Sequence, residues 1–173
     1  PDPARDTDGR MSLPGPLEPT RTVTFPSTGG ATLYGEVYLP PRAPTAVAVM
    51  VHGYAEHCGR YREVAHVLVD AGLAVLGYDY RGHGRASGRR GHIDAWSDYH
   101  DDLDAAVAQA RALAPGKPLV LVAHSNGSLI TLRALTDGER RLDVAGAVLS
   151  SPFLGLKLQV PAGKANPSPP IGP

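Results

Sequence analysis

The stretch Leu119–Gly127 reads LVLVAHSNG, and it joins a buried strand to a helix through a serine. Its first five residues are all apolar, which is typical of a strand covered on both faces of a sheet. The apolar spacing over Ser125–Leu135 then predicts a helix. A tight turn between such elements, with small residues on both sides of the serine, is the context of the nucleophile elbow G-x-S-x-G. Here Ala123 replaces the first glycine.

Two interpretations of Ser125 are open on this motif alone. In a nucleophile elbow, the hydroxyl stands at the carboxyl edge of the sheet, and the N-terminus of the next helix favours negative charge that develops beside it. In an ordinary strand-to-helix turn, the same serine is a helix N-cap whose side chain accepts a backbone N–H. The motif favours the catalytic interpretation, and neighbouring motifs are needed to support it.

A second motif lies upstream, where the apolar strand Ala46–Val51 runs into a His-Gly turn at His52. Enzymes with a nucleophile elbow place the second donor of the oxyanion hole in a turn of this kind. We therefore predict that the backbone N–H groups of Tyr54 and Asn126 bind the oxyanion, while their side chains shape the acyl pocket. For His52 itself we expect a structural role, with its ring hydrogen-bonded to nearby loop backbone.

The third motif is the segment Asp79–Ile93, DYRGHGRASGRRGHI, which is rich in glycine and arginine. Its composition alone indicates a flexible loop, and its arginines would suit phosphate groups. Nucleic-acid binding is nevertheless disfavoured, because aromatic residues are not interleaved with the basic ones and the chain balances 17 basic against 17 acidic residues.

Strand and helix patterns alternate along the middle of the chain. Helical spacing predicts helices over Arg60–Ala71 and Asp94–Ala114, and the second of these places Trp96 and Tyr99 on its buried face. Further strands are predicted at Arg21–Phe25, Thr32–Leu39, Leu73–Tyr78 and Val144–Leu149. Repeated strand–helix–strand units with apolar strands predict an α/β fold, with a mostly parallel sheet and helices on both faces.

The composition is that of an ordinary globular protein, with 173 residues of which 42% are hydrophobic and 20% charged. The single cysteine, Cys58, cannot form an internal disulfide, and no apolar run approaches the roughly 18 residues of a membrane span. We therefore expect a cytoplasmic protein without a signal peptide. The sequence has no HExxH, no paired cysteines and no G-x-G-x-x-G after a strand, so neither a metal nor a cofactor is expected.

Several segments in order resemble motifs of the α/β-hydrolases: HGYAEHCGRY, DYRGHGRASGRRGHI, the aspartate-rich helix after it, AHSNG and LSSPFLG. The resemblance covers residues 21–158 and is to monoacylglycerol lipases and lysophospholipases, which are grouped with the serine aminopeptidase-like hydrolases. It implies that carboxylic esters of lipid-like substrates are hydrolysed through an acyl-enzyme on Ser125. It also implies that the glycine- and arginine-rich segment is a structural loop beside the mouth of the active site.

The acid and base of such an enzyme are not found after the elbow. The catalytic triad runs along the chain as serine, acid and histidine, whereas all seven histidines precede Ser125. The acids that follow, Asp137, Glu139 and Asp143, lie near the end of a helix or at the entry to the next strand. We therefore expect the N-terminal portion of a larger hydrolase, truncated before its helical cap.

The prolines are expected to mark the two ends of this portion. Of 17 prolines, nine lie in residues 1–44 and five in residues 161–173, while residues 45–114 have none. We expect a flexible leader over 1–20, an α/β-hydrolase core over 21–160 with the elbow at 123–127, and an irregular tail over 161–173.

The last predicted strand, Val144–Leu149, would then lie at an unpaired edge of the sheet. Such an edge predicts self-association or pairing with a missing C-terminal half. An alternative to the enzyme is therefore a non-catalytic fragment or degenerate hydrolase that acts as an interaction module.

Overall fold

The computed structural model describes residues 14–138 and 142–155, so the expected tail at 161–173 and most of the expected leader lie outside the described residues. Within these ranges one sheet has its strands in the order β1-β2-β4-β3-β5-β6. Strand β2 runs antiparallel to β1 and β4, whereas β4, β3, β5 and β6 are mutually parallel. The predicted mostly parallel sheet is confirmed. The strands are β1 Arg21–Pro26, β2 Thr32–Tyr38, β3 Ala46–Val51, β4 Leu73–Asp79, β5 Leu119–His124 and β6 Gly146–Ser150.

Helices cover both faces of the sheet, as predicted. Successive residues of a strand point to opposite faces, and β3 shows the consequence. Val49 packs in one apolar cluster with Leu103 and Ile130, whereas Met50 packs in a second cluster with Ala65. No helix in the described ranges is long and apolar enough to cross a membrane. The helices that supply these contacts are α1 Arg62–Asp70, α2 Ser97–Arg111 and α3 Asn126–Thr136.

Helix α2 is shorter at both ends than the predicted helix over 94–114, since it spans Ser97–Arg111. The backbone N–H groups of Asp94 and Ala95 both donate to Oδ2 of Asp98, at 3.1 Å. This local turn satisfies the two donors outside the helix, so the helix begins later than its apolar spacing suggests.

Strand β2 carries a buried carboxylate, Glu36, which ties the sheet to α1. Arg62 donates to it from Nη2 at 2.9 Å and from Nε at 3.2 Å, and the Tyr38 hydroxyl donates at 2.6 Å. Burial alone would raise the pKa of Glu36, but these hydrogen bonds lower it overall. The stabilisation is therefore fully present above the ordinary glutamate pKa of 4.5 and is lost as the pH falls through the lowered value.

Strand β6 forms one edge of the sheet within the described residues, where it pairs only with β5. Apolar side chains are exposed on and just after this strand: Val148 is 61% exposed and Leu154 is 70% exposed. An apolar edge of this kind presents unpaired backbone groups to a further strand.

Candidate active site

The turn between β5 and α3 holds Ser125 in an unusual backbone conformation. Its φ is +51° and its ψ is −116°, a combination that residues other than glycine rarely adopt. Ser125 occupies the N-cap position of α3, yet its side chain makes no capping hydrogen bond. The structure therefore does not support the alternative interpretation of this residue as an ordinary N-cap serine.

Two glycines, Gly127 in α3 and Gly53 in the turn after β3, allow neighbouring backbones to approach Ser125 closely. A Cβ added to Gly127 would lie 2.5 Å from the carbonyl oxygen of His52, and closer still to that of Val51. A Cβ added to Gly53 would lie 3.3 Å from Cβ of Ser125. The end of β3, the start of α3 and the serine between β5 and α3 thus meet at residues 123–127.

The turn after β3, here called the His-Gly loop (residues 52–57), is held in place by Glu56. Oε2 of Glu56 accepts the Gly53 N–H at 3.0 Å and the Tyr61 hydroxyl at 2.6 Å. Burial alone would raise the pKa of Glu56, but these two hydrogen bonds lower it, so the side chain is ionised at neutral pH. Ala55 completes the turn with a φ of +58°. A charged acceptor therefore fixes the loop on either side of Tyr54.

Tyr54 and Asn126, the two predicted oxyanion donors, come from different elements. Asn126 is the first residue of α3 and is buried, whereas Tyr54 lies in the His-Gly loop and is 56% exposed. The Tyr54 hydroxyl donates to the carbonyl oxygen of Gly91 at 2.9 Å, and its ring meets that of His83 edge-on at a centroid distance of 5.2 Å. Both residues lie at the carboxyl end of the parallel strands, next to the elbow.

Asp79 gives the glycine–arginine loop (residues 79–93) a defined conformation beside the His-Gly loop. Its Oδ1 accepts the N–H of Cys58 at 2.7 Å, and its Oδ2 accepts the N–H of Arg85 at 2.8 Å. Gly84, with a φ of +47°, lies so close that a Cβ there would overlap the carboxylate. One buried side chain thus connects the glycine–arginine loop to Cys58, the residue that directly follows the His-Gly loop, in agreement with the structural loop that the resemblance implied.

Arginines of the glycine–arginine loop bind protein groups. Arg81 pairs through Nη2 with Asp102 at 2.7 Å and through Nη1 with Asp98 at 2.8 Å. Arg90 donates to two backbone carbonyls of the same loop, both at 2.9 Å. These contacts connect the loop to α2 and support a structural role over the phosphate contact that the composition allowed.

Three histidines near the strand ends bind groups other than the elbow serine. The Nδ1 of His52 lies 2.7 Å from the carbonyl oxygen of Gly53, in the backbone-binding role expected for it. A carbonyl only accepts, so we assign the His52 proton to Nδ1. Burial lowers the pKa of His52 to about 4 and also lowers that of His83, so both rings are neutral at pH 7. The Nδ1 of His124 lies 3.4 Å from Oγ of Ser150.

Two clefts open at this edge of the sheet, where α/β folds commonly bind ligands. One, of about 430 Å³, lies between the His-Gly and glycine–arginine loops. The other, of about 440 Å³, lies at the ends of β5 and β6 and mixes charged with apolar walls. No group of three His, Cys, Asp or Glu side chains among the described residues is placed to hold a metal ion. The second cleft is lined by Glu56, Arg60, Tyr61, Val64, Val122, Ala123, His124 and Ser150.

Two residues of this site, Glu56 and Tyr80, had no role assigned from the sequence. Glu56 stands three residues after Gly53, which is the spacing at which a glutamate reaches back to a backbone N–H in a capping box. That spacing could have identified it. Tyr80 donates to the carbonyl oxygen of Gly53 at 2.9 Å across 27 residues of sequence, and only the pairing of β3 with β4 brings the two together.

A mostly parallel sheet covered by helices, with a strained serine after a central strand and a His-Gly loop beside it, defines an α/β-hydrolase. Comparison with known proteins agrees with this class. Residues 42–169 match the family described as serine aminopeptidase, S33. The chain belongs to this family.

Two named relatives are similar to the chain in sequence, and one solved structure is similar to it in fold. The chain is 39% identical over 104 residues to the monoacylglycerol lipase of Mycolicibacterium smegmatis, covering 60% of this chain and 37% of that protein. It is 34% identical over 125 residues to human monoglyceride lipase, covering 72% and 41%. The crystal structure of Paleococcus ferrophilus monoacylglycerol lipase matches with a TM-score of 0.61 and 31% identity, covering 76% and 47%. The chain thus spans about two-fifths of the length of the curated relatives it matches.

Proposed function

We propose that this chain provides the nucleophile and the oxyanion hole of a serine hydrolase that cleaves carboxylic esters, with Ser125 as the nucleophile. The observation that carries the proposal is the combination, at Ser125, of a φ of +51° with a side chain that does not cap its helix. Such strain costs about 1–3 kcal/mol and persists only where the surrounding structure imposes it, typically at functional sites. An ordinary N-cap serine would instead be extended and bind a backbone N–H.

The reaction begins when Oγ of Ser125 attacks the ester carbonyl carbon and its proton passes to a general base. The backbone N–H groups of Tyr54 and Asn126 bind the negative charge that forms on the carbonyl oxygen. Collapse of this intermediate expels the alcohol, which takes the proton from the base, and leaves the acyl group on Ser125. Water then cleaves the acyl-enzyme by the same steps, which releases the carboxylic acid and restores the serine.

On this proposal, the triad acid and histidine follow Ser125 in a protein of the relatives' length. The order serine, acid, histidine requires it, because all seven histidines of this chain precede Ser125. The chain covers only 37% of one named relative and 41% of another, which leaves ample sequence for both groups. The proposed activity is therefore that of the whole protein.

We propose a lipid-like or small ester as the substrate. Two relatives carry the names monoacylglycerol lipase and monoglyceride lipase. The cleft at the ends of β5 and β6 adjoins the elbow at Ala123 and His124, and its wall combines charged Arg60 with apolar Val64. Mixed walls of this kind suit an ester with a hydrophilic alcohol and an apolar acyl group.

The proposal is tested by locating the adduct of a fluorophosphonate probe. In the full-length protein that carries this chain, mass spectrometry of the digested adduct should place the phosphonyl group on Ser125, because the probe reacts with an activated serine hydroxyl. Ser128 is an internal control, since it lies only three residues later, in α3, and its hydroxyl donates to the carbonyl oxygen of Ser150 at 3.0 Å. An adduct on Ser128 or elsewhere, with Ser125 unmodified, would overturn the proposal.

The exposed edge of β6 favours a second candidate function, in which this chain is an interaction module. Within the described residues, β6 pairs only with β5, and Val148 on it is 61% exposed. An unpaired edge is a template for another strand. We propose that β6 of a second copy pairs with this edge when the 173-residue chain is studied alone.

Substitution of Val148 tests the association. Sedimentation of the 173-residue chain should show a dimer. Val148→Lys should raise the dissociation constant of this dimer at least about tenfold, because an edge lysine opposes pairing. Val67→Lys is the control, since Val67 is a 42% exposed valine on α1, away from the edge. A wild-type chain that stays monomeric, or an equal effect of both substitutions, would exclude this edge as the contact.

A further inference from the structure

The peptide group between Gly53 and Tyr54 is held through its carbonyl oxygen. This oxygen accepts the Tyr80 hydroxyl at 2.9 Å and the Nδ1–H of His52 at 2.7 Å. In a planar trans peptide the C=O and N–H bonds point in opposite directions. Whatever fixes the oxygen of Gly53 therefore also fixes the direction of the Tyr54 N–H, which binds the oxyanion in the proposed function.

The same Tyr80 hydroxyl contacts the residue that carries the other proposed donor. The Nδ2 of Asn126 donates to it at 3.4 Å. The hydroxyl accepts from Asn126 and donates to Gly53, so a chain of hydrogen bonds runs from α3 to the His-Gly loop. Consecutive hydrogen bonds polarise one another. The two proposed oxyanion donors lie at the two ends of this series of hydrogen bonds.

Burial keeps this network in one protonation state. Tyr80 and His52 are both buried, and their rings stack at a centroid distance of 4.1 Å. Burial raises the pKa of Tyr80, so the phenol keeps its proton, and lowers the pKa of His52 to about 4, so the ring stays neutral. Both hydrogen bonds to Gly53 are therefore formed without competition from water across the neutral pH range.

We propose that Tyr80 is a positioning residue whose hydroxyl aligns the backbone N–H groups of Tyr54 and Asn126 on one oxyanion. This inference rests on the proposed function, because the alignment matters only if the site binds an oxyanion formed at Ser125. It adds to that function a side chain that couples two donors from separate elements. A hydroxyl with a purely structural role would stabilise the loop and leave the oxyanion's binding unchanged.

The substitution Tyr80→Phe removes this hydroxyl and keeps the ring that stacks on His52. In the full-length protein, the rate constant of fluorophosphonate labelling should fall about tenfold, since complete loss of an oxyanion donor costs about 10²–10³ and misalignment costs less. With a soluble ester, kcat should fall by the same factor while KM stays within about twofold, because the oxyanion forms only after attack.

The matched control is Tyr78→Phe. Tyr78 lies on β4, two residues before Tyr80, and its buried hydroxyl has no hydrogen-bond partner among the described residues. This variant should label at the wild-type rate. Equal rates for the two tyrosine variants would overturn the role of Tyr80 and leave that of Ser125 intact. Wild-type labelling of Ser125→Ala would instead overturn the proposed function, and the role of Tyr80 with it.

A second variant, Asn126→Leu, tests the coupling without removing the tyrosine. It keeps the backbone N–H and removes the Nδ2 donor, so labelling should slow by a smaller factor than in Tyr80→Phe. In the double variant, the leucine should cause no further loss, because its effect passes through the Tyr80 hydroxyl. Fully additive losses would show that the two side chains act independently and would overturn the inference.

Discussion

Replacing Ser125 by alanine is expected to lower kcat for ester hydrolysis by about 10⁵–10⁶-fold in the full-length protein. Without Oγ no acyl-enzyme forms, and only substrate binding and the N–H groups of Tyr54 and Asn126 remain, which together give about 10³–10⁴-fold over water. The Ser125 side chain makes no capping hydrogen bond, so its loss should leave the midpoint of thermal unfolding almost unchanged. Hydrolysis of a p-nitrophenyl ester and a thermal melt measure the two quantities.

The control for this substitution is Ser128→Ala, one turn further along α3. The Ser128 hydroxyl is buried and donates to the carbonyl oxygen of Ser150 at 3.0 Å. Its removal should lower the free energy of unfolding by about 1 kcal/mol and leave kcat unchanged. Ser125→Ala should instead lose kcat and keep its free energy of unfolding. If Ser125→Ala hydrolyses the ester as fast as Ser128→Ala, the nucleophile lies elsewhere.

The class of fold could be predicted because its strands are buried on both faces. The runs Ala46–Val51 and Leu119–His124 are almost uninterruptedly apolar, and such runs occur in parallel sheets covered by helices. The order of the strands could not be predicted in this way. Strand β2 pairs with β4 rather than with the next strand in sequence, and this pairing depends on contacts distant in the chain.

The part of the site that could be predicted is local in sequence. Ser125 and Asn126 follow directly from the strand–turn–helix pattern, and Tyr54 from the turn after β3. Long-range contacts such as that of Tyr80 with Gly53 leave no comparable signal, because either residue type is ordinary at its own position. The bond between Arg81 and Asp102 is of the same kind, since it joins a loop to a helix 21 residues later.

The substitution Gly127→Ala is expected to lower the free energy of unfolding by about 2–3 kcal/mol, although alanine is the better helix former. Its helix propensity alone would add about 1 kcal/mol. The new Cβ, however, would overlap the carbonyl oxygens of Val51 and His52. Overpacking of this kind costs typically about 1–3 kcal/mol, and more where the neighbours are backbone atoms that cannot rotate away. Urea denaturation measures the difference.

The control is Gly146→Ala, because a Cβ at Gly146 would meet no atom within 4 Å, and its effect should stay within about 0.5 kcal/mol. If Gly127→Ala is as stable as this control, α3 does not pack against β3 as described.

Relief of the overlap at Gly127 must move α3 away from β3, and this displaces Ser125 and Asn126 from the His-Gly loop. The folded fraction of Gly127→Ala should therefore also lose kcat, whereas that of Gly146→Ala should keep it.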